Sequence, residues 1–144
     1  MNKRTAGFTL IELLVVIAII GILAALVLGV SFDTRNKAAD ARIINSISQL
    51  RWLAQITYDA QGGSFINWTL YPEIQDSLDI LDNEIDIAFG GTNVATLRDS
   101  AIQEYCVSAP LKSDSSKHYC IDAKEVPAIF SQPCLAAPLE CPSS

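Results

Sequence analysis

The sequence predicts an α+β protein: one long N-terminal helix, membrane-spanning in its first half and amphipathic in its second, packed on a small C-terminal head with an antiparallel β-sheet, stapled by disulfides. Three observations carry that prediction. From Leu13 to Val30 no residue is charged, and only Gly21 and Gly29 interrupt the run of larger, mostly apolar side chains. Apolar residues then continue at helical spacing as far as Thr57, and all four cysteines lie beyond residue 105 among short strand-like runs. A length of 144 residues suits one modest domain on a helical stalk, with no second domain.

The first half of the helix is long enough to matter. At about 1.5 Å per residue, Leu13 to Val30 extended back to Phe8 crosses a hydrocarbon core of roughly 30 Å. Lys3 and Arg4 precede it, and by the positive-inside bias they hold the N-terminus in the cytoplasm and send everything after Val30 outward. Glu12 is then a carboxylate just inside lipid. Such a group costs on the order of a few kcal/mol and calls for a partner, most simply a positive charge that arrives when the helix associates. The blander role for Glu12 is to complement the helix dipole at an N-terminus. An ordinary secretory signal is a poorer match, because its apolar region runs about 7 to 15 residues and this one is longer and carries an acid near its start.

Past the span, Ala39, Ile43, Ile47, Leu50, Ala54 and Thr57 recur at steps of three and four, with Ile44 and Leu53 beside them. Arg35, Lys37, Asp40, Arg42, Asn45, Ser48, Gln49 and Arg51 fall mostly on other faces, so one side of the helix must be covered. The predicted helix runs from about Thr9 to Asp59, and Gly62-Gly63 ends it. Ser64 to Pro72 reads as a loop anchored by Phe65, Trp68 and Tyr71, and Asn67-Trp68-Thr69 has the form of a glycosylation acceptor. Glu73 to Phe89 has Ile74, Leu78, Leu81 and Ile85 at helical spacing, although Ile85, Ile87 and Phe89 also alternate as in a strand. Its acids Asp76, Asp79, Asp82, Glu84 and Asp86 invite calcium, but their spacing does not fit the D-x-D-x-D-G loop and a solvated acidic face is expected instead.

Ala101 to Ala109 and Lys117 to Ala123 are predicted strands around the polar turn Lys112 to Ser116. A hairpin centred at Ser113 places Cys106 opposite Cys120, Tyr105 opposite Ile121 and Val107 opposite Tyr119. Four cysteines in an exported segment allow three connectivities; this hairpin favours Cys106–Cys120 and leaves Cys134–Cys141 to close a small proline-containing loop. Zinc is disfavoured: no C-x₂₋₄-C pair is present and His118 is the single histidine. No metal or cofactor is implied. Catalysis has no basis either, since the chain lacks a G-x-S-x-G elbow, a phosphate-cradling glycine loop and an H-E-x-x-H helix. The formal charge of −6, which becomes −8 once Lys3 and Arg4 are removed, argues against direct nucleic-acid binding.

The octet Gly7-Phe8-Thr9-Leu10-Ile11-Glu12-Leu13-Leu14 resembles the class III signal of type IV pilins and of the pseudopilins of type II secretion. The resemblance is close over about the first quarter of the chain and extends to the rest only in layout. It implies a leader of residues 1–7, a membrane and assembly half-helix 8–30, an amphipathic half 31–61 and a globular head 62–144. It further implies that a prepilin peptidase cuts between Gly7 and Phe8, that Phe8 becomes N-methylated, and that Glu12 pairs with the N-terminal ammonium of a neighbouring subunit. The partners implied are other copies or related pilins, an assembly platform with its ATPase, and the cytoplasmic membrane before assembly into an extracellular pilus or periplasmic pseudopilus. Many pilins carry proline where Gly29 stands and unwind locally between the positions of Gly21 and Gly29. Here each glycine costs roughly 1 kcal/mol of helix stability, or else permits close helix approach. A C-terminal disulfide such as Cys134–Cys141 is common in the family. The expected function is that of a pilus subunit; the alternatives are a type II secretion pseudopilin and, from another class, a single-pass anchored binding module that never polymerises.

Overall fold

A computed structural model describes residues 7–101, 103–124, 127–134 and 139–142, without the side chains of 28–32 and 98–101. Lys3 and Arg4 lie outside these. Helix α1 spans Leu10–Ala60 and is followed by single 3-10 turns at Trp68–Leu70 and Pro72–Ile74, helix α2 (Gln75–Phe89), and strands β1 (Thr96–Ala101), β2 (Glu104–Pro110), β3 (His118–Asp122) and β4 (Ala128–Phe130). The chain divides into two compact units, residues 1–35 and residues 36–144.

The second unit is the head. Along α1, Ile43, Ile47, Leu50, Ala54 and Thr57 are fully buried and Ala39 half-buried, which is the face that the periodicity marked. Buried Thr57 donates its hydroxyl to the Leu53 carbonyl at 2.8 Å, so a polar group sits in the core without an orphaned donor. Gly62 and Gly63 adopt φ of 69° and 94°, and the Gly63 N–H returns to the Tyr58 carbonyl at 2.9 Å, closing the helix where side chains with a Cβ would be strained. Phe65 and Trp68 are buried as expected, with Tyr71 half-buried against the same core. Ring centroids step from Tyr58 to Phe65 at 4.5 Å and on to Tyr105 at 4.7 Å, tying loop to sheet. The predicted second helix runs to Phe89 without turning into a strand: Leu81 and Ile85 face the core while Ile87 is 67% exposed. Gly90, at φ 84°, ends it, and the Asp86 carboxylate accepts the Asn93 and Val94 N–H groups at 2.8 Å each.

The sheet is antiparallel in the order β1-β2-β3-β4. Both faces are covered, which is why β2 is buried at five consecutive positions. Tyr105, Val107, Ala109 and Ile121 join the α1 core on one face, and Cys106, Cys120, Cys134 and Cys141 form a second cluster, with Phe130 against it. Two expectations need correction here. Ala101 belongs to β1 and pairs with Glu104, so the predicted strand from Ala101 to Ala109 is broken by a turn. The β2–β3 hairpin is centred one residue later than predicted, pairing Cys106 with Asp122, Val107 with Ile121, Ser108 with Cys120 and Ala109 with Tyr119. Asp114 is the cause: its carboxylate accepts the Ser116 N–H at 3.1 Å and hydroxyl at 2.6 Å, its carbonyl accepts the Lys117 N–H at 2.9 Å, and Leu111 closes on Lys117 at 2.8 Å. A change of two in register keeps every side chain on its face. Cys106 and Cys120 therefore remain neighbours, with sulfurs 3.4 Å apart, but they are diagonal and not opposite.

The disulfides are Cys106–Cys134 and Cys120–Cys141, in place of the predicted Cys106–Cys120 and Cys134–Cys141. The tail decides the pairing. Cys134 is seated over β2 by its N–H to the Ser108 hydroxyl at 3.0 Å, and Cys141 over β3 by its N–H to the Asp122 carboxylate at 2.9 Å. Each tail cysteine thus reaches a different strand. Closing loops of 28 and 21 residues, where the predicted bridges close 14 and 7, also constrains the unfolded chain more, by roughly 0.6 kcal/mol per doubling of loop length in the chain-entropy picture.

Candidate functional site

In the first unit α1 has the opposite character. Leu10–Val27 has a mean hydropathy of 3.1 and none of it is buried. A row of Leu, Ile and Val side chains of that length has no stable place in water; it requires lipid or other helices. The helix continues through both Gly21 and Gly29, and a Cβ added at Gly21 meets nothing within 4 Å. Gly7 is equally open and Phe8 is 84% exposed, so the bond between them is sterically accessible.

Glu12 is the one acid in the first turn. Its carboxylate accepts the Thr9 N–H at 2.9 Å and the Thr9 hydroxyl at 2.8 Å, and the Thr9 hydroxyl oxygen in turn accepts the Glu12 N–H at 3.4 Å. This is a capping box, in which two otherwise orphaned backbone donors of the helix start are satisfied reciprocally. Sequence reading weighed the helix dipole for Glu12 and missed Thr9, although the S/T-x-x-E pattern was there to be seen. One carboxylate oxygen takes both Thr9 bonds, leaving acceptor capacity for a further donor.

Elsewhere the predicted residues resolve into structural parts. Among the acids of α2, Asp86 caps the following turn, Glu84 accepts the Ser46 hydroxyl at 3.1 Å, and the pKa of Asp82 is raised from its ordinary value by burial and then by Asp86 and Asp79. All four cysteines are spent in disulfides, and the three-cysteine group that would otherwise suit a metal, Cys106, Cys120 and Cys134, is among them. His118 is half-buried on β3 and burial lowers its pKa. Asp40 was assigned to the polar side of the helix; it is buried, and one of its carboxylate oxygens accepts the Lys112 and Ser113 N–H groups at 2.5 and 3.1 Å. Its partners lie 72 and 73 residues away, so no local pattern points to it.

Comparison with known proteins places this geometry. Residues 2–28 match the prokaryotic N-terminal methylation motif. Over 43 residues, 28% of this chain and 20% of the relative, the sequence is 51% identical to the type IV major pilin protein PilA of Myxococcus xanthus (strain DK1622). Over 112 residues, 76% of this chain and 67% of the relative, it is 30% identical to the type IV major fimbrial protein FimA of Dichelobacter nodosus. The chain belongs to the type IV pilin family. It spans a fifth of the first relative and two thirds of the second. No solved structure matches it. As a type IV pilin-type chain it is a structural subunit and not an enzyme, and Leu10–Val27 is the apolar helix by which such a subunit is anchored in the membrane before assembly.

Proposed function

We propose that this chain is the precursor of a filament subunit, cleaved between Gly7 and Phe8 by a prepilin peptidase, N-methylated on Phe8 and polymerised through the first half of α1. The observation that carries the reading is Glu12, an acid at the start of a membrane-length stretch of α1, Leu10–Val27, none of which is buried. Cleavage turns the Phe8 nitrogen into an ammonium with an ordinary pKa of about 7.7 to 8.0, positive at neutral pH. In low dielectric an ammonium beside the Glu12 carboxylate gains more than it would in water, while either alone keeps its full desolvation cost. A neighbouring protomer's ammonium can use the acceptor capacity that Thr9 leaves, so the capping box and the pairing are compatible. Gly21 and Gly29 supply the points at which the helix yields or packs closely in the polymer. An assembly platform and its ATPase supply the work, and the head stands outside.

N-terminal sequencing of the mature protein tests cleavage: the expected first residue is N-methylated Phe8, and a start beyond Ala24 would remove the peptidase from the scheme. Electron microscopy of surface material, followed by mass spectrometry, tests assembly. Extended fibres made of this chain are expected; short periplasmic fibres would reassign it to secretion, and a chain that stays in the membrane would make it an anchored module.

A further inference from the structure

The four cysteines are gathered more tightly than two separate disulfides require. Cys106 on β2 and Cys120 on β3 stand two positions apart in register, in one buried cluster with Cys134 and Cys141 of the tail. The Cys120 sulfur is 3.4 Å from that of Cys106 and 3.9 Å from that of Cys134, although it is bonded to neither. The sulfurs of Cys106, Cys120 and Cys134 all lie within 4.8 Å of one another. Four thiolates around a tetrahedral zinc ion, each at about 2.3 Å from the metal, stand about 3.8 Å apart. The two non-bonded separations fall on either side of that spacing. The C-x₂₋₄-C pair whose absence disfavours zinc in the sequence belongs to ligands supplied by one loop, whereas here two come from neighbouring strands and two from the tail.

A metal also needs the set to stay together while the bridges are open. Cysteines are made as thiols, so the chain passes through that state before it is oxidised. The tail keeps its seat without its disulfides: the Cys134 N–H donates to the Ser108 hydroxyl at 3.0 Å, the Cys141 N–H to the Asp122 carboxylate at 2.9 Å and the Leu139 N–H to Glu104 at 3.3 Å, while Lys124 pairs with Glu140. The ladder between β2 and β3 holds the other two cysteines. Opening a bridge from the usual disulfide spacing of about 2.05 Å to the zinc spacing of about 3.8 Å moves each sulfur by about 1 Å, within reach of a side-chain rotation. Burial completes the site, because water is kept from competing for the ion.

We infer that in its thiol state the head holds one zinc ion through Cys106, Cys120 and Cys134, with Cys141 closing the tetrahedron. Binding is no redox step: four Zn–S bonds form, four S–H bonds break, and the four protons leave to solvent. The head then has two alternative staples, a metal while its cysteines are reduced and two disulfides once they are oxidised. The inference concerns the head alone and does not rest on the filament reading. It is tested on the full chain in detergent, reduced with a phosphine, freed of metal and titrated with Zn²⁺ against a chromophoric chelator, and separately with Co²⁺. The expected results are one ion per chain, the absorption spectrum of a tetrahedral cobalt thiolate, a higher melting temperature for the reduced chain with zinc than without, and an affinity that falls as pH is lowered and protons compete for the thiolates. Ser108→Ala removes no ligand but releases the Cys134 N–H, and is expected to weaken zinc binding about tenfold, the scale of a group that positions a ligand. Cys120→Ser, which takes away the sulfur nearest to both others, is expected to weaken it further. The Ser108 variant separates a folded site from four loose thiols, which would bind equally well with or without that hydroxyl. Less than one zinc per chain, an octahedral cobalt spectrum, or wild-type affinity in either variant would overturn the proposal.

Discussion

One helix serves two solvents. Between Leu10 and Val27 α1 has no buried residue, and between Ile43 and Thr57 it has five that are wholly buried. Backbone geometry is the same in both stretches; what differs is where the contacts are supplied. The later stretch is satisfied by its own chain, through α2, the aromatic loop and the sheet. Among the described residues nothing buries the earlier one, so its apolar side chains require lipid or other helices. The contrast separates mutations that should unfold the head from mutations that should stop assembly while leaving the head intact.

The sharpest way to break that separation is Glu12→Val. On the proposed pairing, removing the acid leaves each incoming ammonium desolvated without a partner, and the expected loss is at least tenfold in filament incorporation. Head melting temperature should not move. Quantifying filament-bound against membrane-bound chain checks the first statement and thermal denaturation in detergent the second; normal incorporation would end the pairing mechanism. The converse experiment replaces Cys120 and Cys141 together by serine. Loss of that bridge is expected to cost the head about 2 to 4 kcal/mol and to leave cleavage after Gly7 unchanged. Both cysteines must go, because a lone Cys120 thiolate would sit 3.4 Å from the Cys106 sulfur and could displace Cys134 from it.

The same contrast explains what could be read in advance. The long helix, its buried stripe from Ile43 to Thr57 and the stop at Gly62-Gly63 are written in local periodicity and in glycine, and the helix bounds fall within a residue of those expected, with Ala39 at the head of the stripe only half-buried. Glu12 stands out in the sequence because a charge in a hydrocarbon segment has few uses, whereas its capping box with Thr9 is a separate local pattern. The hairpin register was not legible, because it turned on whether Ser113 or Asp114 organised a five-residue polar turn. The disulfide pairing failed with it, and for a further reason: where Cys134 and Cys141 land depends on Ser108 and Asp122, which meet the tail only in three dimensions. Asp40 was missed for the same cause.

Asp40 offers a finer test of the boundary, since it lies on the helix yet belongs to the head. Asp40→Ala would leave the Lys112 and Ser113 N–H groups without their acceptor, and the expected loss is about 1 to 3 kcal/mol, with Asp40→Asn losing less because its amide oxygen can still accept. Denaturant unfolding of the head measures it. A loss of stability in Asp40→Ala with unaltered membrane insertion keeps the two stretches of α1 independent; a variant that also fails to insert would show them coupled.

The smallest effect expected is at Asp82, and its sign is informative. Burial, then the Asp86 and Asp79 carboxylates, raise its pKa in the folded head, and its Oδ1 is buried with no hydrogen-bond partner. Between the unfolded value and this raised one the folded head binds more protons than the unfolded chain, so stability falls as pH rises through that window, and above it the penalty is fully present. Asp82→Asn should therefore raise the melting temperature slightly at neutral pH and not at all below the ordinary carboxylate range, the effect being muted by the solvent that still reaches the group. Melting curves of both proteins at the two pH values decide it. A variant stabilised equally at both would mean that packing, and not charge, is what Asp82 disturbs; one destabilised at neutral pH would mean that the acid is held by a cation on the assembled surface or in solution.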